Sequence, residues 1–163
     1  MPNHVENILR ISGTEEDLAA FKAICHGKSP EYAPPKIPIP WGRQLPKEEV
    51  LTFSGIVPVP AEILAKTYDK AGYDWQHENW GTKWDAYGPP QVVQVGRDLI
   101  YTFQTAWAPP LKWLRAAVEK FPTLHFELFA RDEYPYTMSV DAYYTDDGAV
   151  SWEECYGESR PRT

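Results

Sequence analysis

The stretch DLIYTFQTAWAPPLKWLRAAVEKFPTLHFEL, Asp98 to Leu128, decides the fold. Its first ten residues alternate: Leu99, Tyr101, Phe103, Thr105 and Trp107 fall on one face, and Ile100, Thr102, Gln104 and Ala106 on the other. A period of two predicts a half-buried strand. Pro109 or Pro110 then opens a helix, in which Leu111, Leu114, Val118 and Phe121 make an apolar stripe. Pro122 ends the helix, and Leu124, Phe126 and Leu128 alternate again as a strand.

Upstream, Val92, Val93 and Val95 predict a partner strand, joined to Asp98 through a turn at Gly96-Arg97-Asp98. At the start of the chain Glu6–Ser12 reads as a strand that Gly13 breaks. Thr14, three residues ahead of an acid, then starts a helix with Leu18, Phe21, Ile24 and Cys25 on one side and Gly27 as its stop. Downstream, Met138, Val140, Ala142 and Tyr144 predict a strand turned at Asp146-Asp147-Gly148 into Ala149–Glu154. The order is β-α-(insert)-β-β-α-β followed by a hairpin. This is the α+β, ferredoxin-like split βαβ sandwich with an antiparallel sheet, inserts after the first helix and a C-terminal β-hairpin. Residues 1–163 read as a single domain.

Two inserts interrupt that pattern. Lys28–Glu49 is proline-rich and reads as an extended loop with Trp41 at its tip. The second, about 57–90, is tryptophan-rich. Within it Ala61–Ala71 predicts a short helix closed by Gly72, Asp74–Trp80 a further helical turn or two, Gly81 a break, and Thr82–Tyr87 an extended run. Val50–Pro60, ahead of it, has an extended character.

Composition limits function. The chain has two cysteines, Cys25 and Cys155, and no CxxC pair, so zinc-ribbon and thioredoxin-type sites are excluded. Iron–sulfur chemistry fails on ligand count, and "ferredoxin-like" names topology alone. No leader of signal-peptide type and no run of roughly 20 apolar residues is present, which predicts a reduced, cytoplasmic protein without a membrane span. The net charge is −7. From Glu127 to Glu158 Arg131 is the only base among many acids, Asp141, Asp146, Asp147, Glu153 and Glu154 included, so an acidic C-terminal surface is expected. That balance disfavours nucleic-acid phosphates.

The opening MPN, the later Asn7 and ISG, VPVP before a helix, YDW with NWGTKWD, and TAWAPP together resemble the YubB-type ferredoxin-like domain of plasmid and phage proteins. The resemblance runs from Met1 to about Phe129, and WGTKWD with TAWAPP is its most specific part. Members usually open Met-Pro-Asn-Trp-Cys, whereas His4 and Val5 stand here, so no role tied to that pair carries over. The resemblance implies a fold and a mobile-element origin, and no reaction.

The residues nominate one main site. In an extended Thr82–Asp85 run, Trp84 turns toward the core while Lys83 and Asp85 stand together at the surface. Gly81 lets Trp80 and Trp84 approach, with Asn79 or Asp74 as acceptors for the indole N–H groups. This stretch reads as an aromatic corner clamping an insert to the sheet, or as a stacking platform with Lys83 and Asp85 as polar arms and Trp107 as another wall. Asp74, His77 and Glu78 share a helical face and could act on a cation or a proton, but such spacing is common by chance and a solvated face is the simpler explanation. No Walker loop, GxSxG, HExxH or GxGxxG occurs, so no catalytic residue, metal or cofactor is expected. The leading expectation is a non-catalytic accessory module binding a host or self protein, as an acidic inhibitor in one version. The alternatives are a small-ligand-binding protein or enzyme using Trp80–Asp85, and single-stranded nucleic-acid binding over the row Tyr101, Phe103 and Trp107.

Overall fold

A computed structural model describes residues 3–37, 46–134 and 136–158. Trp41 lies outside them. Strand β1 (His4–Ser12) leads to helix α1 (Glu15–Cys25). The Thr14 hydroxyl accepts the Asp17 amide at 3.2 Å, and three acids fill the first turn where the helix dipole favours them. The long insert is closed at its base by two short paired strands, β2 (Gly27–Lys28) and β3 (Glu48–Glu49), where an unbroken loop was expected. Two short helices follow, α2 (Ala61–Leu64) and α3 (Tyr73–Asn79). Then come β4 (Tyr87–Val95), β5 (Asp98–Ala106), α4 (Leu111–Lys120), β6 (His125–Arg131), β7 (Tyr136–Tyr144) and β8 (Val150–Glu158).

The long strands form one six-stranded sheet in the order β4-β5-β1-β6-β7-β8, antiparallel at every pairing. The molecule is therefore mixed α+β. Its core lies between one sheet face and helices α1 and α4, joining Leu9, Ile11, Tyr101 and Phe126 to Leu18, Phe21, Trp113 and Leu114. Phe21 is its hub, meeting Tyr101, Trp113, Phe121 and Phe126 edge-on at centroid distances of 5.2–6.5 Å. Such pairs add to simple area burial. Cys25 is buried among these residues, and Cys155 is exposed.

Three expectations change. Ala61–Ala71 is not one helix. The insert takes its carbonyls, the Ala33 amide donating to Leu64 O at 2.9 Å and Lys66 O at 3.1 Å, and the chain re-enters helix through a wide turn at Tyr68–Gly72. Val50–Pro60 is not extended throughout, since Phe53–Gly55 makes a tight helical turn that the Thr52 hydroxyl caps. Trp107 does not continue the buried row of β5. It sits at φ 72° and is 55% exposed, its amide donating to Asn3 O at 2.8 Å. Tyr101 and Phe103 are buried against the helices, so these two rings are not open to stacking bases.

Among the described residues, no helix covers the other sheet face. Register places Ile100, Arg10, Glu127, Asp141 and Glu153 in one line across it, and Thr102, Ile8, Phe129, Ser139 and Cys155 in the next.

Candidate functional site

The residues of WGTKWD and TAWAPP meet at one corner. The Trp80 indole is fully buried and donates to Val57 O at 2.9 Å, packing edge-on against Phe53 and Trp75. Gly81 adopts φ 82°, and a Cβ there would approach the Lys112 amide nitrogen within 3.3 Å, so the turn requires glycine. The buried Thr82 hydroxyl donates to Ala106 O at 3.0 Å. Thr105, also buried, donates to Ala108 O at 2.8 Å and accepts from Asn7 Nδ2 at 2.9 Å. These polar residues hold the end of β5 against β1 and the tryptophan-rich insert.

Beyond that corner opens a cleft of about 420 Å³, lined by aromatic Tyr32, Tyr68, Trp84 and Tyr87 with Ser29, Pro30, Gln76 and Asp85. The rings form two perpendicular pairs. Tyr32 and Tyr68 stand 5.6 Å apart at 73°, Trp84 and Tyr87 5.8 Å apart at 68°. A polar chain fixes one wall: the Tyr32 hydroxyl donates to Gln76 Oε1 at 2.5 Å, while Gln76 Nε2 and the Tyr68 hydroxyl both donate to Lys83 O, at 2.6 and 2.7 Å. Burial pushes the Tyr32 phenol up to about 12 and raises Tyr68 further, so both keep their protons at neutral pH. The Tyr87 hydroxyl lies 2.5 Å from His4 Nδ1.

Asp85 does not stand beside Lys83 at the surface. The residue keeps some accessible surface, but its carboxyl is enclosed. Oδ1 accepts the amides of Phe53 and Ala86, both at 2.8 Å, and Oδ2 accepts the Thr52 hydroxyl at 2.6 Å. The Ser29 hydroxyl is a fourth donor. Burial nonetheless raises its pKa above the usual carboxylate value, the hydrogen bonds only partly offsetting it. No basic side chain among the described residues forms an ion pair with it. Lys83 turns its ammonium over rings instead, 5.0 Å from the Trp84 centroid and 5.9 Å from that of Tyr73.

The remaining nominated residues scatter. Asn79 Nδ2 donates to Trp75 O within its own helix, and the Trp80 indole N–H goes to Val57 O instead. Asp74 and Glu78 are exposed, whereas His77 packs on the Tyr73 ring at 4.5 Å. Trp107 is no wall of this cleft. The acids divide among three places. Asp141 and Glu153 pair on the open sheet face, Asp146 and Asp147 occupy the β7–β8 turn, and Glu154 holds Trp152 Nε1 and the Tyr156 hydroxyl at the sheet's far edge.

The structure also joins residues that looked isolated. His125, Glu127 and Asp141 bring one ligand atom each within 4.8 Å of one another on the open face, a donor set that could take a divalent cation. Each already has a protein partner, His125 with Asp141 and Glu127 with Arg10 at 3.8 Å. The i, i+2 spacing of His125 and Glu127 marks a shared strand face, but only the β6–β7 register brings Asp141 to it. The cleft was likewise half hidden: Trp84 and Asp85 were nominated, whereas Tyr32, Tyr68 and Gln76 come from separate segments. No helix among the described residues is long and apolar enough to cross a membrane. Comparison with protein-family models, with curated proteins and with solved structures finds no match.

Proposed function

We propose that this protein is a small-molecule binding module, non-catalytic, whose site is the aromatic cleft over Asp85. One observation carries the reading: a cleft of about 420 Å³ combines four aromatic rings with a single enclosed carboxyl, within the size range of small-ligand pockets. The polar atoms of its walls are held by the protein itself, so the site is pre-formed and ordering on binding costs little. A ferredoxin-like assignment belongs to the same proposal. It is supported by the order β4-β5-β1-β6 among the first four long strands, with α1 and α4 as the two crossing helices. The resemblance to YubB-type proteins motivates reading the module as an accessory protein of a mobile element.

A saturation-transfer NMR screen of small fragments against the wild type and Trp84→Ala tests the site. The expected result is a set of binders whose signals disappear in the variant. Binders indifferent to the substitution, or none at all, would overturn the proposal.

A second reading, docking of a host or self protein on the open sheet face, is favoured by the adjacent, exposed Ile8 and Phe129. The charges around them are mutually paired, Arg10 with Asp98 at 2.6 Å and Arg131 with Glu6, which breaks the single-sign field an acidic inhibitor needs.

A further inference from the structure

We propose that the cleft selects a small quaternary ammonium compound, a ligand whose nitrogen carries four alkyl groups and so a permanent positive charge. This deepens the small-molecule reading and rests on it. Three features of the cleft lead to that chemistry.

The first is the walls. Aromatic faces attract cations through the ring quadrupole, most strongly where water is excluded, and alkylated ammonium groups are the ligands such walls suit best. Here two edge-to-face ring pairs, Tyr32 with Tyr68 and Trp84 with Tyr87, line one cleft. Lys83 already places its ammonium 5.0 Å from the Trp84 centroid, and it does not line the cleft.

The second is the charge. Among the described residues Asp85 is the one acidic side chain lining this cleft, and it has no cationic partner there. Two of its four donors are backbone amides, which cannot reverse their role, so the site is built to hold negative charge. A cation in the cleft supplies the counter-charge that no described residue provides.

The third is what those donors leave over. Amides of Phe53 and Ala86 and hydroxyls of Thr52 and Ser29 take up the acceptor sites of Asp85. A primary ammonium must surrender water from three N–H groups and would find few acceptors in exchange. A quaternary nitrogen has no N–H to satisfy and gains from charge and ring contact alone. The arrangement thus discriminates by degree of alkylation.

The test is a titration followed by backbone amide NMR shifts of the wild type. The probes are choline, its neutral isostere 3,3-dimethylbutan-1-ol, and ethanolamine. Choline is expected to shift the amides of Ser29, Gln76, Trp84 and Tyr87, with an affinity at least about tenfold above that of either comparator. Tyr32→Leu and Trp84→Leu should each weaken choline about tenfold while leaving the isostere nearly unchanged. Asp85→Asn should abolish the preference for choline; should that variant not fold, the two ring variants and the three-probe comparison still decide. Phosphatidylcholine vesicles present the same group on a surface, and co-sedimentation with them would assign it to a lipid headgroup. If the isostere or ethanolamine binds the cleft as well as choline, the quaternary selectivity is wrong while the small-molecule reading survives. If none of the three shifts those amides and the fragment screen is also blank, both fail.

Discussion

Asp85 is the residue on which structure and chemistry meet. Its carboxyl ties together three segments far apart in sequence, at Ser29, at Thr52–Phe53 and in its own turn. Asp85→Ala would leave the Phe53 and Ala86 amides without an acceptor, and should lower unfolding free energy in urea by about 3 kcal/mol. The pH dependence has a definite sign. Burial raises the pKa of Asp85 in the folded state, so the folded chain binds more protons than the unfolded one from the ordinary carboxylate value upward. The contribution of this group is most favourable below that value and declines as pH rises through the window. Urea titrations of wild type and Asp85→Asn, compared from about pH 4 to about pH 8, should show the wild type losing ground to the variant as pH rises. A constant difference would contradict it. Sequence alone pointed to Asp85 but turned it the wrong way, because alternation was applied to a segment that bends at Gly81 and is no strand. Its donors from Ser29 and Thr52 could not be read from spacing at all.

At the scale of elements, the corner around TAWAPP and WGTKWD is a packing device, and its tryptophans are not equivalent. Trp80 is fully enclosed, whereas Trp107 is largely exposed in a left-handed conformation that suits glycine better. Trp80→Ala should cost about 3–5 kcal/mol. Trp107→Gly should lie within about 1 kcal/mol of the wild type, since relief of backbone strain offsets lost contact. Thermal unfolding of the two variants distinguishes these outcomes. The turn at Phe53–Gly55 sits against the end of α1, and a Cβ at Gly55 would fall 1.9 Å from Ile24 O. Because backbone stands in the way, Gly55→Ala should destabilise by about 2 kcal/mol, measured in the same experiment. The β4–β5 hairpin, α1, α4 and β6 were legible because period and punctuation agreed in each. The Ala61–Ala71 helix was misread because long-range competition decided it, with Ala33 drawing off the carbonyls of Leu64 and Lys66.

For the whole molecule, one sheet face builds the core with α1 and α4 while the other stays open beneath a mesh of cross-strand charges. Arg131–Glu6 and His125–Asp141 are exposed on both sides and Arg10–Asp98 on the arginine side, so each contributes little and is screened by salt. Raising sodium chloride from low to about molar concentration should change unfolding free energy by less than about 1 kcal/mol in total. A large loss would mean that the open face contributes more than exposed pairs can. The sheet order was largely implicit in the succession of elements, but the cleft was not. Its walls come from the proline-rich insert, the wide turn, α3 and the run into β4, four pieces whose approach depends on tertiary packing. In the proposed reading this cleft keeps an enclosed carboxyl whose counter-charge arrives with a ligand. The most direct measurement is the carbon-13 NMR titration of the Asp85 carboxyl, with and without choline. The expected midpoint lies above the ordinary carboxylate value in the free protein and moves down when choline is present. A midpoint at or below the ordinary value in the free protein, or one that choline leaves in place, would contradict it.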